Sequence, residues 1–271
     1  MAFKIGFTAE RPESTQKGDA YVAPQQTATP KKSVVQVKFP GRGMALAYYN
    51  DLFDLHTGDW VYVDGKLEGQ RGRVVEVNYN FKIKVSDYKH VIALVDTAVS
   101  GQFFMAGSHF VTFDPSALPV GKIATWFMAP AKDDDEYISG NDDASFQLKD
   151  LKGFELTSTI AERGHAYYME SRVRYICVDG THGYAIVEGG NIYEVEFEYK
   201  SGEISNLTCS CFCGYNCKHE FATMLQLRET LELIEEQYAD EYNRTHYFAA
   251  ISKGTFFSFA IDGKETGSFI L

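Results

Sequence analysis

From Ser33 onward, apolar and polar positions alternate in short bursts broken by Gly, Pro and Asp. The runs "SVVQVKF", "MALAYYN", "DWVYVDG", "RGRVVEVNYNFKIKV" and "HVIALVD" are β-branched and aromatic, and turn signals such as "PGRG", "HTGD" and "VDGKLEGQRG" separate them. This pattern predicts five short strands over residues 34–98. In "VNYNFKIKV" the alternation places Val77, Tyr79, Phe81, Ile83 and Val85 on one face, expected to face the core, and Asn78, Asn80, Lys82 and Lys84 on the other. Five closely spaced strands suggest a small β-barrel of SH3-like or OB-like size.

Residues 99–152 mix apolar runs ("QFFMAGSHFVTF", "KIATWFMAP") with the acidic stretch "KDDDEYISGNDD" and read as connecting strands and a loop. In "LKDLKGFELTSTIAERG", Leu148, Leu151, Phe154 and Ile160 have helical spacing, and Gly164 stands as its stop. "AYYMESRVRYICVDG", "THGYAIVEG" and "NIYEVEFEYKSGEISNLT" predict an antiparallel meander, with Glu194, Glu196 and Glu198 on a solvated face of its third strand. A helix follows over residues 219–241, with Phe221, Leu225, Ile234 and Tyr238 on its apolar side and Glu220, Glu229, Glu232, Glu235, Glu236 and Asp240 on its polar side. "THYFAAI", "TFFSFAIDG" and "GSFIL" read as closing strands, and residues 1–33, rich in Pro, Thr and Gln, read as a flexible arm. The expected order is therefore an arm (1–33), a small barrel (34–98), a connecting segment (99–152) and a mostly β domain with one principal helix (153–271), α+β in class.

The length of 271 residues allows a full core. The net charge of −11 is uneven: residues 1–33 carry +2, 34–98 carry 0, 99–150 carry −5 and 151–271 carry −8. Bulk attraction to phosphate is thereby excluded, and any nucleic-acid surface has to be a local patch. No apolar run reaches the roughly 20 residues of a membrane span, and the start has no signal-peptide pattern, so a cytoplasmic protein without a membrane partner is expected.

Four of the five cysteines lie within "CSCFCGYNCKH", residues 209–219. Thiolate and imidazole are the donors a structural zinc prefers. Cys209 and Cys211 can pinch a metal at the end of a strand, and Cys217 and His219 can supply two donors as the chain turns into the helix. Cys213 could stand in for Cys211. A redox C-x-x-C is absent, and clustered cysteines in a reducing compartment argue against disulfides. Cys177, in a strand, is expected in the core.

These residues resemble the SWIM zinc finger, whose pattern is C-x-C, a variable gap, then C-x-H: here "CSC", "FCGYN" and "CKH", followed by the apolar helix "EFATMLQL". The preceding strands, led by an Arg-Gly with a Tyr soon after in "ERGHAYY", resemble the family's lead-in, so that the likeness covers roughly residues 154–235. It implies one structural Zn²⁺ held by Cys209, Cys211, Cys217 and His219, with Cys213 inside the gap, and it implies binding to DNA or to protein. A shorter stretch, "GDWVYVDGKLEGQRGRVVEV", is similar to KOW/SH3-like or PSP1-like β-modules of nucleic-acid-associated proteins.

No nucleophile motif, P-loop or dinucleotide fingerprint occurs, and "KDDDEYISGNDD" fails the EF-hand order. "PGRG" at 40–43 reads as a turn. A non-enzymatic binding protein with no evident small-molecule substrate is the expectation. For DNA or RNA the candidate contacts are Lys66, Arg71, Arg73, Lys82 and Lys84 in the first module, and Arg172, Arg174 and Lys218 near the cluster. The alternative is a protein adaptor that uses the acidic helix.

Overall fold

A computed structural model describes residues 4–6, 30–132, 144–151, 153–213 and 215–261. The chain divides into two units: Met1–Arg11, Val99–Val120 and Glu136–Leu271 form the larger, and Pro12–Ala98 with Gly121–Asp135 the smaller. Both are built chiefly on antiparallel sheet, with helices added, so the chain is mixed α+β.

The smaller unit is a five-stranded sheet in the order β3-β2-β5-β4-β6, from β2 (Ser33–Lys38), β3 (Leu46–Asn50), β4 (Trp60–Val63), β5 (Arg71–Asn78) and β6 (Val91–Val95). Val35, Val37, Phe39, Leu55, Val61 and Val74 fill its core, each close to fully buried. The five predicted strands are present, but the barrel is not closed. Among the described residues the outer strands β3 and β6 are bridged only by the isolated pair Tyr49 and His90. The alternating run also ends early. Strand β5 stops at Asn78, and Tyr79 and Val85, expected inward, are 50% and 43% exposed. The cause is a missing partner: Asn78 pairs with Val34, one residue from the start of β2, so the next residues have nothing to bond across. "KIATWFMAP" forms helix α1 (Val120–Phe127) rather than a strand, with Ile123 and Trp126 buried and the Trp126 ring N–H donating to Asp96 O at 2.8 Å.

The larger unit holds a nine-stranded antiparallel sheet in the order β1-β7-β8-β14-β10-β11-β12-β13-β9. Its strands are β1 (Lys4–Gly6), β7 (Gln102–Ala106), β8 (His109–Thr112), β9 (Phe146–Gln147), β10 (Val173–Asp179), β11 (His182–Glu188), β12 (Ile192–Lys200), β13 (Glu203–Cys209) and β14 (Tyr247–Ser252). The segment 99–152 is therefore not simply a connector: β7, β8 and β9 belong to this sheet. The predicted arm also supplies β1, which pairs with β7; its remaining residues up to 29, the acidic stretch 133–143 and "GSFIL" lie outside the described residues. Among the described residues no helix is long and apolar enough to cross a membrane.

The meander β10–β13 has the expected strand order. In β10 the register slips between Val173 and Tyr175, so Val173, Ile176 and Val178 join one hydrophobic cluster despite their uneven spacing. Helix α3 (Lys218–Gln237) closes that cluster with Ala222, Met224, Leu227 and Ile234. A short helix, α4 (Ala239–Thr245), follows it. "TFFSFAI" coils instead of extending: Ser252 caps a turn, α5 (Lys253–Phe256), that continues helically to Ile261.

The predicted helix around 148–163 is displaced. It begins at Ser158, where the Thr157 hydroxyl accepts from Ile160 N, and runs to Met169 as α2. Gly164 is thus not a stop but the interior of α2, at its crossing with α3. A methyl group there would stand 2.8 Å from Phe221 Cδ1 and 2.9 Å from Lys218 O. The glycine, which costs about 1 kcal/mol in a helix interior, is what permits the close approach.

Candidate metal centre

Two elements present the cluster. Strand β13 ends at Cys209, which stands opposite Val195 of β12. Helix α3 begins at Lys218 with Cys217 as its N-cap. The cap is reciprocal: Cys217 Sγ accepts from Glu220 N at 3.4 Å, and Glu220 Oε2 accepts from Cys217 N at 2.6 Å. Glu220, expected on the solvated face, is buried for this reason.

The donor atoms of Cys209, Cys211, Cys217 and His219 all lie within 4.8 Å of one another. His219 Nδ1 is 3.8 Å from Cys209 Sγ and 3.7 Å from Cys217 Sγ. With bond lengths of about 2.3 Å to sulfur and 2.0 Å to nitrogen, a tetrahedral ion separates sulfur from nitrogen by about 3.5 Å. The side chains therefore need little movement to close on an ion. Cys213 is exposed and stands outside the group, so the structure assembles the C-x-C and C-x-H pairs and leaves the fourth thiol of the stretch out. Cys177 is buried in β10, and burial pushes its thiol up to about 11.

Three of the four groups are displaced from their ordinary protonation range. Hydrogen bonding with Cys209, then burial, raises the Cys217 thiol far above its ordinary value. Burial pushes Cys211 up to about 12. Burial, with Lys218 beside it, lowers His219 to about 4, so its imidazole is neutral and ready to ligate. A bound cation would favour the thiolate form of such thiols, and binding would release their protons. The amino end of α3, whose dipole favours negative charge, reinforces this at Cys217.

The His219 ring is held by stacking. Tyr193 lies against it at 4.0 Å between centroids and 20° between planes, and Tyr167 meets it edge-on at 5.5 Å. With Nδ1 turned to the sulfurs, the buried Nε2 makes no hydrogen bond among the described residues. Sequence reasoning had the Tyr after the Arg-Gly only as part of the lead-in pattern and assigned it no contact, and it had Tyr193 only as one of the residues alternating with the glutamates; the position of Tyr193 in β12, within the reach of Cys209's strand, was the available signal.

Compared with models of known families, with curated proteins and with solved structures, the chain matches none of them.

The candidate nucleic-acid contacts are dispersed. Residues 66–89 do not form the hairpin that would gather them: β5 pairs with β2 and β4, and Lys82 and Lys84 lie beyond its end. Lys66 and Lys82 are exposed, and Lys84 meets Asp87 at 3.7 Å. Arg71 is half-buried, donates to Trp126 O and lies 4.8 Å from the Trp60 ring. Arg73 donates to Gly58 O at 3.3 Å. In the larger unit Arg172 is paired with Glu170 and Arg174 with Glu188, while Lys218 and Arg172 each sit 4.7 Å from the Tyr167 ring.

Proposed function

We propose that the cluster holds one Zn²⁺ in a closed, structural site of SWIM type, and that the chain is a non-enzymatic binding protein acting on nucleic acid. The convergence of three sulfurs and one imidazole nitrogen within 4.8 Å carries the metal reading. Thiolate-rich tetrahedral sites suit zinc, and four protein donors leave no position for a substrate or an activated water. When bound, the ion supplies fixed positive charge and four bonds. Cys209 and Cys211 anchor it to the end of β13, and Cys217 and His219 anchor it to the start of α3.

Two features of the SWIM-like lead-in support the family reading. Gly164 of its Arg-Gly lets α2 approach the carbonyl of Lys218, between two of the ligands. Tyr167, three residues on, reaches the edge of the His219 ring. These give the lead-in a physical task, which is to support the ligand-bearing turn.

The test is metal analysis of the purified protein together with a Cys217→Ala variant. About one zinc per chain is expected, with loss of the metal and of stability in the variant. Metal-free wild-type protein with unchanged stability in Cys217→Ala would sink the proposal.

A second reading, a protein adaptor, draws on α3 itself. Glu232, Glu235 and Glu236 are exposed near its carboxyl end, where the helix dipole disfavours them and a cationic partner would relieve them.

A further inference from the structure

Lys38, Arg73 and Trp60 stand in line across three strands of the smaller unit. Lys38 of β2 is paired with Arg73 of β5, and Arg73 with Trp60 of β4. Beyond Lys38 the chain reverses through Phe39–Pro40–Gly41–Arg42. Arg42 N donates to Phe39 O at 3.2 Å, and Gly41 takes φ +74°, the value that the third residue of a type II turn requires. The reversal brings Arg42 to the same place. Together with Val75, which is 41% exposed, these residues line a groove of about 500 Å³.

The charge of this groove is unbalanced. Among the described residues no carboxylate lines it. Lys38, Arg42 and Arg73 are exposed, and none makes an ion pair among the described residues. Arg73 is instead steadied by Gly58 O at its Nε and by the Trp60 ring, 5.7 Å away, and its terminal amino groups make no hydrogen bond among the described residues. In a chain of net charge −11, three cations without an ion pair among the described residues gather around an aromatic, apolar floor. Cations along a groove that also offers an aromatic ring match a polynucleotide strand whose bases are free, since phosphates meet the cations and a base face meets the floor. A duplex does not fit this chemistry, because it presents base edges and keeps base faces stacked.

We infer that this groove binds single-stranded nucleic acid, with Lys38, Arg42 and Arg73 on the phosphates and a base against Trp60 and Val75. The inference rests on the nucleic-acid reading of the chain and gives it a location, one that includes only Arg73 of the contacts expected from the sequence.

Fluorescence anisotropy of the full chain with labelled oligo(dT) and oligo(U) tests it. Binding to either strand is expected, with log K falling against log salt at a slope of about −2, for three phosphates at about 0.7 each. Lys38→Glu combined with Arg42→Glu, both exposed changes, should weaken binding roughly tenfold or more with the metal content unchanged. Trp60→Leu should weaken binding with little change in the salt slope. If wild-type protein binds an oligonucleotide and the double variant binds it equally well, the groove is not the site, although the nucleic-acid reading stands. If wild-type protein binds no strand at low salt, both fail. Equal binding of a duplex, or displacement of the strand by poly-glutamate at equal charge concentration, overturns the assignment of single-stranded nucleic acid to the groove.

Discussion

The imidazole of His219 lies flat against the ring of Tyr193, with 4.0 Å between centroids. Metal-bound histidines are ordinarily oriented by a hydrogen bond from their second nitrogen. Here that nitrogen has no partner among the described residues, and the ring plane is set by Tyr193 on its face and Tyr167 at its edge.

Replacing Tyr193 with Ala should therefore weaken metal binding by about tenfold, at the lower end of what loss of an outer-shell partner costs, while Tyr193→Phe keeps the stack and the affinity. Competition with a chromophoric chelator measures both. Equal affinity in the Ala variant and the wild type would show that the ring is held in another way.

Gly164 gives a second expectation. Its missing Cβ would come within 2.9 Å of the Lys218 carbonyl, so α2 and α3 meet at backbone distance beside the ligands. Gly164→Ala should destabilise the fold by about 1–3 kcal/mol even though alanine is the better helix former, because the overpacking exceeds the gain in propensity. Denaturant unfolding checks the sign; a stabilised variant would mean that the crossing can open at no cost.

His109 sets a pH dependence. It is fully buried, its Nε2–H donates to Val173 O at 2.7 Å, and its Nδ1 accepts from the Ser108 hydroxyl at 2.9 Å. Both nitrogens are thus satisfied in the neutral ring, and burial lowers its pKa to about 4. In the unfolded chain the value is about 6.5. Above pH 6.5 neither state is protonated and the full stability is present. As the pH falls from 6.5 towards 4 the unfolded chain takes up a proton that the folded chain refuses, and stability drops by about 1.4 kcal/mol per unit. His109→Gln should lack this part of the slope. Since both proteins keep His219, the difference between their pH profiles isolates His109; parallel profiles across that window would contradict the assignment.

The positions at which sequence reading failed share a physical cause. "VNYNFKIKV" alternates as a strand should, but a strand needs a neighbour, and β2 starts only at Ser33, so it offers nothing where β5 would have continued. "KIATWFMAP" and "TFFSFAI" are short apolar runs, for which a buried strand and a buried helical turn write the same text. Gly164 looked like punctuation because its function, close approach to Lys218, depends on a helix more than fifty residues away. The candidate metal ligands were legible because their chemistry is local: four donors within eleven residues carry their own spacing. The groove at Trp60 was not, since Lys38, Trp60 and Arg73 become neighbours only through strand register.

Cys217 is at once a candidate metal donor and the helix cap, which has a kinetic consequence. Cys209 and His219 are only ten positions apart. A loop of that length closes in about 10–100 ns, far sooner than distant strands find one another. An ion captured across it would fix the start of α3, and the direction in which its twenty residues run, before most of the nine-stranded sheet has formed. The metal would then decide the order of assembly as much as the strength of the finished fold, and refolding with and without zinc should differ in rate more than in the shape of the native state.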